Sequence, residues 1–486
     1  MTRVAGLETE YGCLTEDPSG GLETVRRVRD WLFAGGRYGL LDRQQRDWDE
    51  PAGNGGFLFN GGRAYLDMGH LEICTAECMS LDDLIAHDAA GDRMIGEALR
   101  ALRLEERASF IRNNVDHYSG ATFGCHENYL VRRTAPLTER NVLSLLAFLT
   151  LRVLYTGAGK VGGVPGVESR GGGSPRPAIP FQISQRADFI QNDLFEWVQF
   201  NRAIINTRDE PLADARRFRR LHLLHGDTSV LPDTLALKVG TTSLVLDLLE
   251  MDRLPRVALL DAVGTFRDLS AQPEGAWRVQ LAEGAGAELA AVEVLDRFRA
   301  AAAAEFAGRD AETDRVLDTW RATLEALATD PDRLVGTVDW ITKHWLLRQF
   351  IAAEGLSWES PWLRSQDLEF HHTDPSRSLG LSLATDSTWR PRPEVVAAAR
   401  SEPPPDTRAA VRSHLMRRLA AHDLPAFVDW EIVDTEGVNP LLLLDPFDAD
   451  LASADRWLHR ALAARKSARS SEKPSADPRC NDPSPS

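Results

Sequence analysis

Cysteine is scarce and scattered in this chain: Cys13, Cys74, Cys78, Cys125 and Cys480 are the five among 486 residues. An odd count without a dense framework excludes a disulfide-stapled secreted fold and suits a reducing compartment. No second CxxC and no histidine pair accompanies Cys74 and Cys78, so a zinc site is not expected. Positive charge is also short. Lys and Arg number 56 against 72 Asp and Glu, a net −16, which argues against a nucleic-acid binder held by a broad basic surface. Long apolar runs are missing too. The most apolar stretch, VLSLLAFLTLRVLY, is interrupted by Arg152 and is too short and too charged to span a bilayer. The first residues carry no signal-peptide pattern. A cytoplasmic protein with no membrane or nucleic-acid partner is expected, and a hydrophobic content of 43% allows a large core with an appendage.

The usual nucleotide and metal motifs are absent as well. TGAGKV places Leu154 where a phosphate loop needs its first glycine and Val161 where it needs a magnesium-binding hydroxyl. HENYL begins like HExxH but puts Leu130 at the second histidine. The glycines at 171–173 lack the strand–turn–helix setting of a dinucleotide fold.

What is present is a spread of acids on strand-like segments. In GLETEYG, Glu8 and Glu10 share one strand face, where two like charges need a cation, a proton or an arginine between them. Tyr65 and Asp67 share a face in AYLDMG, and Glu72 and Glu77 follow within ten residues. His126, Glu127 and Asn128 lie in the next strand-like piece; Arg186, Arg208 and His222 come later. Oxygen ligands on rigid strands suit magnesium, which commonly bridges to nucleotide phosphates, and nearby arginines would take up phosphoryl charge. Taken singly, the same residues also suit blander roles. Glu8 and Glu10 would serve on a solvated edge strand, Asp67 in a turn, Arg208 in an ion pair and His222 in a core.

Pattern and punctuation organise the rest. A first strand ends near Gly12, and an amphipathic helix spans about 22–34. FLFNGGRAYLDMG reads as two strands about a tight turn, and Ser80 with Asp83 opens a helix to about 103. GCHENYLVRR is strand-like, about 138–155 is a buried helix closed by Gly157, and an Ala-rich helical zone covers about 285–329. FQISQRADFI and RAIINTRDEP resume strand patterns. The Gly- and Pro-rich stretch 162–180 reads as a flexible insertion, a break falls near 401–406, and the polar tail from 466 is expected to be disordered.

Beyond these local readings, GLETEYG, NGGRAYLDMG, TAEC, GCHENYL, SQRAD, IINTRDEPLADARRFRRLH and LKVGTTSLVL resemble, in order and wording, the Pup ligase and Pup deamidase/depupylase family. The resemblance runs from about residue 4 to 465. It implies an α+β, glutamine-synthetase-like fold: a large, curved, mostly antiparallel sheet with helices in a catalytic domain 1–404, and a small C-terminal domain 405–465. It also implies ATP and Mg2+ as cofactors. Glu8, Glu10, Tyr65, Glu72 and His222 would hold metal, Asp67 would be catalytic, and Arg208, Arg186, Glu77, His126 and Asn128 would bind the nucleotide. The favoured activity is ligation: a glutamate carboxylate of a small, disordered ubiquitin-like modifier (Pup-like) is phosphorylated and passed to a lysine of a target protein. A hydrolase of the same family is the main alternative, ahead of a ligase for small molecules or a nucleotide-binding non-enzyme. "GHLEI" stands where the family has a His-Pro-Glu-Tyr pattern, and Arg216, Arg217, Arg219 and Arg220 are candidates for a basic track toward an acidic modifier.

Overall fold

Alternation of polar and apolar residues in the first strand sets the axis of the fold. In this computed structural model, all residues are described except 2, 48–49, 118, 164–178, 197–201, 283–287, 385–386 and 472–486. The 162–180 insertion therefore falls almost wholly outside the described residues. Strand β1 (Ala5–Thr15) is followed by β2 (Gly39–Leu41), β3 (Gly55–Leu58), β4 (Arg63–Asp67), β5 (His70–Cys74), β6 (Ala108–Ile111) and β7 (Cys125–Arg132). A short ribbon, β8 (Lys160–Val161) with β9 (Phe181–Gln182), stands apart from β10 (Ile190–Phe195), β11 (Arg202–Asn206) and β12 (Phe218–Leu223). Ten strands form one sheet in the order β10-β11-β12-β7-β1-β5-β4-β3-β2, with β6 paired to β1. Only β10 and β11 run parallel. The expected large, mostly antiparallel sheet with helices is what the chain forms.

One face of the sheet is apolar and covered. Leu7, Tyr129 and Leu223 join a buried cluster with Leu235, Val239 and Leu246 of the helix Pro232–Glu250. That helix is buried nearly all round, as expected for one running through a core. Further along the same face, Tyr11, Leu71 and Ile73 pack against Val25, Val28 and Leu32 of the helix Gly21–Phe33, and against Met94, Ile95 and Ala98 of the helix Leu81–Leu102. Ser80 caps this second helix: its Oγ accepts from the Asp83 amide at 3.0 Å and donates to the Asp83 carboxylate at 2.7 Å.

Three local expectations change. The strand pattern in FQISQRADFI is broken by a 3-10 turn, Ala187–Phe189, because the buried Asp227 carboxylate takes the Gln185 and Arg186 amides at 3.0 and 3.1 Å, out of any ladder. The Ala-rich zone is two helices, Ala291–Phe306 and Ala311–Thr329, divided at Gly308 (φ +77°) and restarted by the Asp310 cap. The last helix, Leu451–Ser471, runs past the 466 boundary; the remaining tail lies outside the described residues. The C-terminal segment does not own its core outright. Val411, Leu415, Met416 and Trp457 cluster with Phe57 and Phe59 from the β3 edge of the large sheet. No helix among the described residues is long and apolar enough to cross a membrane.

Candidate active site

Period-two geometry places the acids together. On β1, Glu8 and Glu10 point away from the Leu7 and Tyr11 face; β1 lies between β5 and β7, with Glu10 opposite Glu72 and Glu8 opposite His126. Tyr65 on β4 faces Glu72 across the next pair, and His222 on β12 faces Asn128. Two groups of metal-capable side chains result. Glu10, Asp67 and Glu72 offer ligand atoms all within 4.8 Å of one another, and so do Glu8, His126 and His222. Gly124 makes room for this crowding: a Cβ there would lie 2.3 Å from His126 Nε2 and 2.9 Å from Glu10 Oε1.

The electrostatics of the first group are unfinished. Burial, then the charges of Glu8, Glu10 and Asp67, push the Glu72 carboxyl well above the ordinary carboxylate range. The Tyr65 hydroxyl donates to Glu72 Oε1 at 2.6 Å, and burial and Glu72 push its own pKa up, so it stays a phenol. An all-oxygen triad of this kind fits magnesium. In the second group, Asn128 and His126 lie 3.0 and 3.1 Å from the two Glu8 oxygens. His222 is buried, and burial brings its pKa down to about 4, leaving the imidazole neutral. Its Nε2 is 3.5 Å from Glu8 and has no hydrogen-bond partner among the described residues. A carboxylate with two imidazoles also holds a divalent cation, with donors that suit manganese or zinc as well as magnesium.

Cations flank the acids. Arg186 is buried and donates to the Phe123 carbonyl at 2.5 Å; Arg202 is its neighbour, and Glu10 acts electrostatically on both. Burial, then Arg202, lower Arg186 to about 10, still charged at neutral pH. Among the described residues neither arginine forms an ion pair with a carboxylate. Arg220 reaches inward to Asn128 at 3.2 Å and lies 3.8 Å from Glu8, whereas Arg216 is exposed and Arg217 pairs with Asp445 at 2.7 Å. These three of the four arginines thus diverge.

Beside the acids is a cavity of about 220 Å³, walled by Glu8, Tyr65, Asn128 and Arg220 on one side and by Arg408 and Trp430 on the other. Glu77 stands on its wall. Its carboxylate accepts from Arg408 at 2.8 Å and from Arg412 at 2.6 Å, and these cations outweigh burial to hold it at about 2.

The structure therefore gathers Glu8, Glu10, Tyr65, Asp67, Glu72, His126, Asn128, Arg186 and His222 on one face. Glu77 sits at the edge of that set, tied into the C-terminal segment. Arg208 stands apart, half-exposed and paired with Glu210 at 2.8 Å. Asp67, expected to act separately from the metal ligands, lies within the Glu10–Glu72 group. Arg63, Arg202, Arg408 and Trp430 were not anticipated. Arg63 had a signal, lying two residues before Tyr65 on the same strand face; Arg408 and Trp430 had none, coming from the far end of the chain.

Known proteins match the chain over most of its length. A family model described as Pup-ligase protein matches residues 3–434. A Pup–protein ligase of Micrococcus luteus is 36% identical over 475 residues, covering 94% of this chain and 98% of the relative. A depupylase of Acidothermus cellulolyticus is 36% identical over 513 residues, covering 96% and 98%. The crystal structure of the Pup ligase PafA in complex with Pup matches with TM-score 0.80 and 30% identity, covering 97% of this chain and 93% of that one. The ADP complex of PafA matches with TM-score 0.74 and 32% identity, covering 84% and 90%.

Proposed function

The chain belongs to the Pup-ligase family, and on that premise we propose how its site works. The protein is an ATP-dependent carboxylate–amine ligase that joins a glutamate side chain of Pup to a lysine of an acceptor protein. The observation that carries the site assignment is the meeting of two acid-rich groups from β1, β4, β5, β7 and β12 on one face, beside a cavity, with two arginines that have no carboxylate partner among the described residues.

In the first half-reaction an oxygen of the modifier's carboxylate attacks the γ-phosphorus of ATP. The bond to ADP breaks and an acyl phosphate forms. Arg186 and Arg202 accept the negative charge that gathers on the phosphoryl oxygens. The cavity between Tyr65 and Trp430 receives the nucleotide, and Asn128 and His126 fix Glu8 in place. Mg2+ held by Glu10, Asp67 and Glu72, or a divalent ion held by Glu8, His126 and His222, supplies positive charge against the phosphates when bound. In the second half-reaction the lysine amine attacks the acyl carbon. An unperturbed lysine has a pKa of about 10.4, so it must shed a proton first. Asp67, half-buried at the end of β4, takes that proton before the amine attacks; as the isopeptide bond forms, the C–O bond to phosphate breaks and the nitrogen's second proton leaves with the phosphate. Free cysteines at 13, 74, 78 and 125 accord with a cytoplasmic setting.

Purified protein incubated with Pup, ATP, Mg2+ and a lysine-bearing protein gives a conjugate and stoichiometric ADP under this reading. The depupylase relative favours a second reading on the same site, in which a preformed conjugate is cleaved without ADP release per turnover. Mass spectrometry of both mixtures separates them, and inactivity in both refutes the pair.

A further inference from the structure

The tip of the β4–β5 hairpin breaks two rules at once. Asp67 pairs with His70, leaving Met68 and Gly69 as a two-residue turn with φ of +44° and +94°. Such left-handed turns favour asparagine or glycine, because an L side chain is strained there by roughly 1 kcal/mol or more. Met68 is also 88% exposed, the most exposed large apolar side chain among the described residues. Some of the other left-handed residues have local explanations. Arg103, for example, caps the helix Leu81–Leu102, and Trp277 is buried. Met68 receives no such return from the fold. Leu22, itself half-exposed, lies behind the turn, its Cδ1 4.0 Å from where a Gly69 Cβ would be.

The position explains the breach. Met68 directly follows Asp67, the residue assigned to receive the acceptor's proton. An extended lysine side chain spans roughly 6 Å from Cα to Nζ by standard bond lengths. An acceptor whose amine reaches Asp67 must therefore bring its backbone, and the surface around it, onto this rim. An unbranched thioether adapts to differently shaped surfaces better than a branched side chain does.

We propose that Met68 is the apolar contact on which a folded acceptor protein rests around its target lysine. It sets the preference for protein acceptors over small amines. This rests on the ligase reading above and on the continuity of the tip with Asp67.

The test is Met68→Asn, which suits the turn better than the native residue. Conjugation is measured with ATP and Pup against a folded lysine-bearing protein and against Nα-acetyl-lysine amide, with thermal midpoints recorded. Loss of one buried methionine contact raises KM for the protein acceptor about tenfold with kcat nearly unchanged. Use of the small amine and the thermal midpoint stay level, and Met68→Leu restores the protein acceptor's KM. Equal losses with both acceptors, or no change with the protein acceptor, overturn the docking role. A wild-type protein inactive toward both acceptors overturns the ligase reading instead.

Discussion

Glu127 and Glu72 are buried glutamates in one sheet, on opposite faces, and their surroundings differ in kind. Glu127 points into the core. Arg152 donates to it at 2.6 and 2.8 Å and the Tyr129 hydroxyl at 2.6 Å. Burial would raise its pKa, but Arg152 and Lys238 outweigh that and hold it at about 2. Glu72 faces the other way, among Glu8, Glu10 and Asp67, and is pushed up. One carboxylate is neutralised by the chain itself; the other stands in a group whose negative charge the chain leaves in excess. Folding accounts for the first arrangement alone. The second is the arrangement that a bound cation would complete.

Four measurements would break or sharpen that contrast. The largest effect is expected from Asp67→Asn, which keeps an oxygen donor but removes the proton acceptor. Conjugation turnover should fall about 10²–10⁴-fold with little change in the denaturant midpoint. Unimpaired turnover would remove Asp67 from its role. Next is Arg152→Met on the core side. It strands a buried carboxylate, and urea unfolding should show a loss of about 3–5 kcal/mol; a loss below 1 kcal/mol would mean Glu127 is not held as described.

Smaller is the metal response. Magnesium at about 100 times its Kd should stabilise the wild type by about 2.7 kcal/mol, and Glu72→Gln should blunt that gain while raising stability without metal. A variant equally responsive to magnesium would show that the triad is not the ion's site. The last effect is confined to acid and concerns Glu77. Its pKa, lowered from 4.5 to about 2, contributes stability fully present above about pH 4.5 and lost as pH falls through about 2. Fluorescence of Trp430 and Trp457 should therefore report loosening of the C-terminal segment over that window, and a flat response would count against the Glu77–Arg412 tie.

Much of this contrast is present in short-range pattern. Alternation in GLETEYG and AYLDMG already puts Glu8 with Glu10 and Tyr65 with Asp67, because a strand's period is two. The helix limit at Ser80 follows from cap chemistry, whereas the stretch before Gly157 is two helices, Glu139–Leu151 and Val153–Thr156, parted at Arg152, and Gly157 is extended (φ −68°) instead of capping in the left-handed region. Strand order is another matter. That β1 lies between β5 and β7, so that Glu10 meets Glu72, depends on pairings 62 positions apart, which no local preference encodes. The same holds for Glu77, whose partners Arg408 and Arg412 lie more than 300 residues away. Arg152 interrupts the most apolar stretch of the sequence, and only the fold sets Glu127 against it. Asp67 could be assigned a role from resemblance, but only distances place it among the metal-capable acids.

The shared cluster of Phe57, Phe59 and Trp457, with the ties from Glu77, has a practical corollary for anyone dissecting this molecule. Cutting the gene after codon 404 would not yield a minimal enzyme. It would strip Arg408 and Trp430 from the wall of the cavity beside the acids and bare two phenylalanines to water. The severed halves, expressed together, should find each other again, and rescue by co-expression is the behaviour to look for.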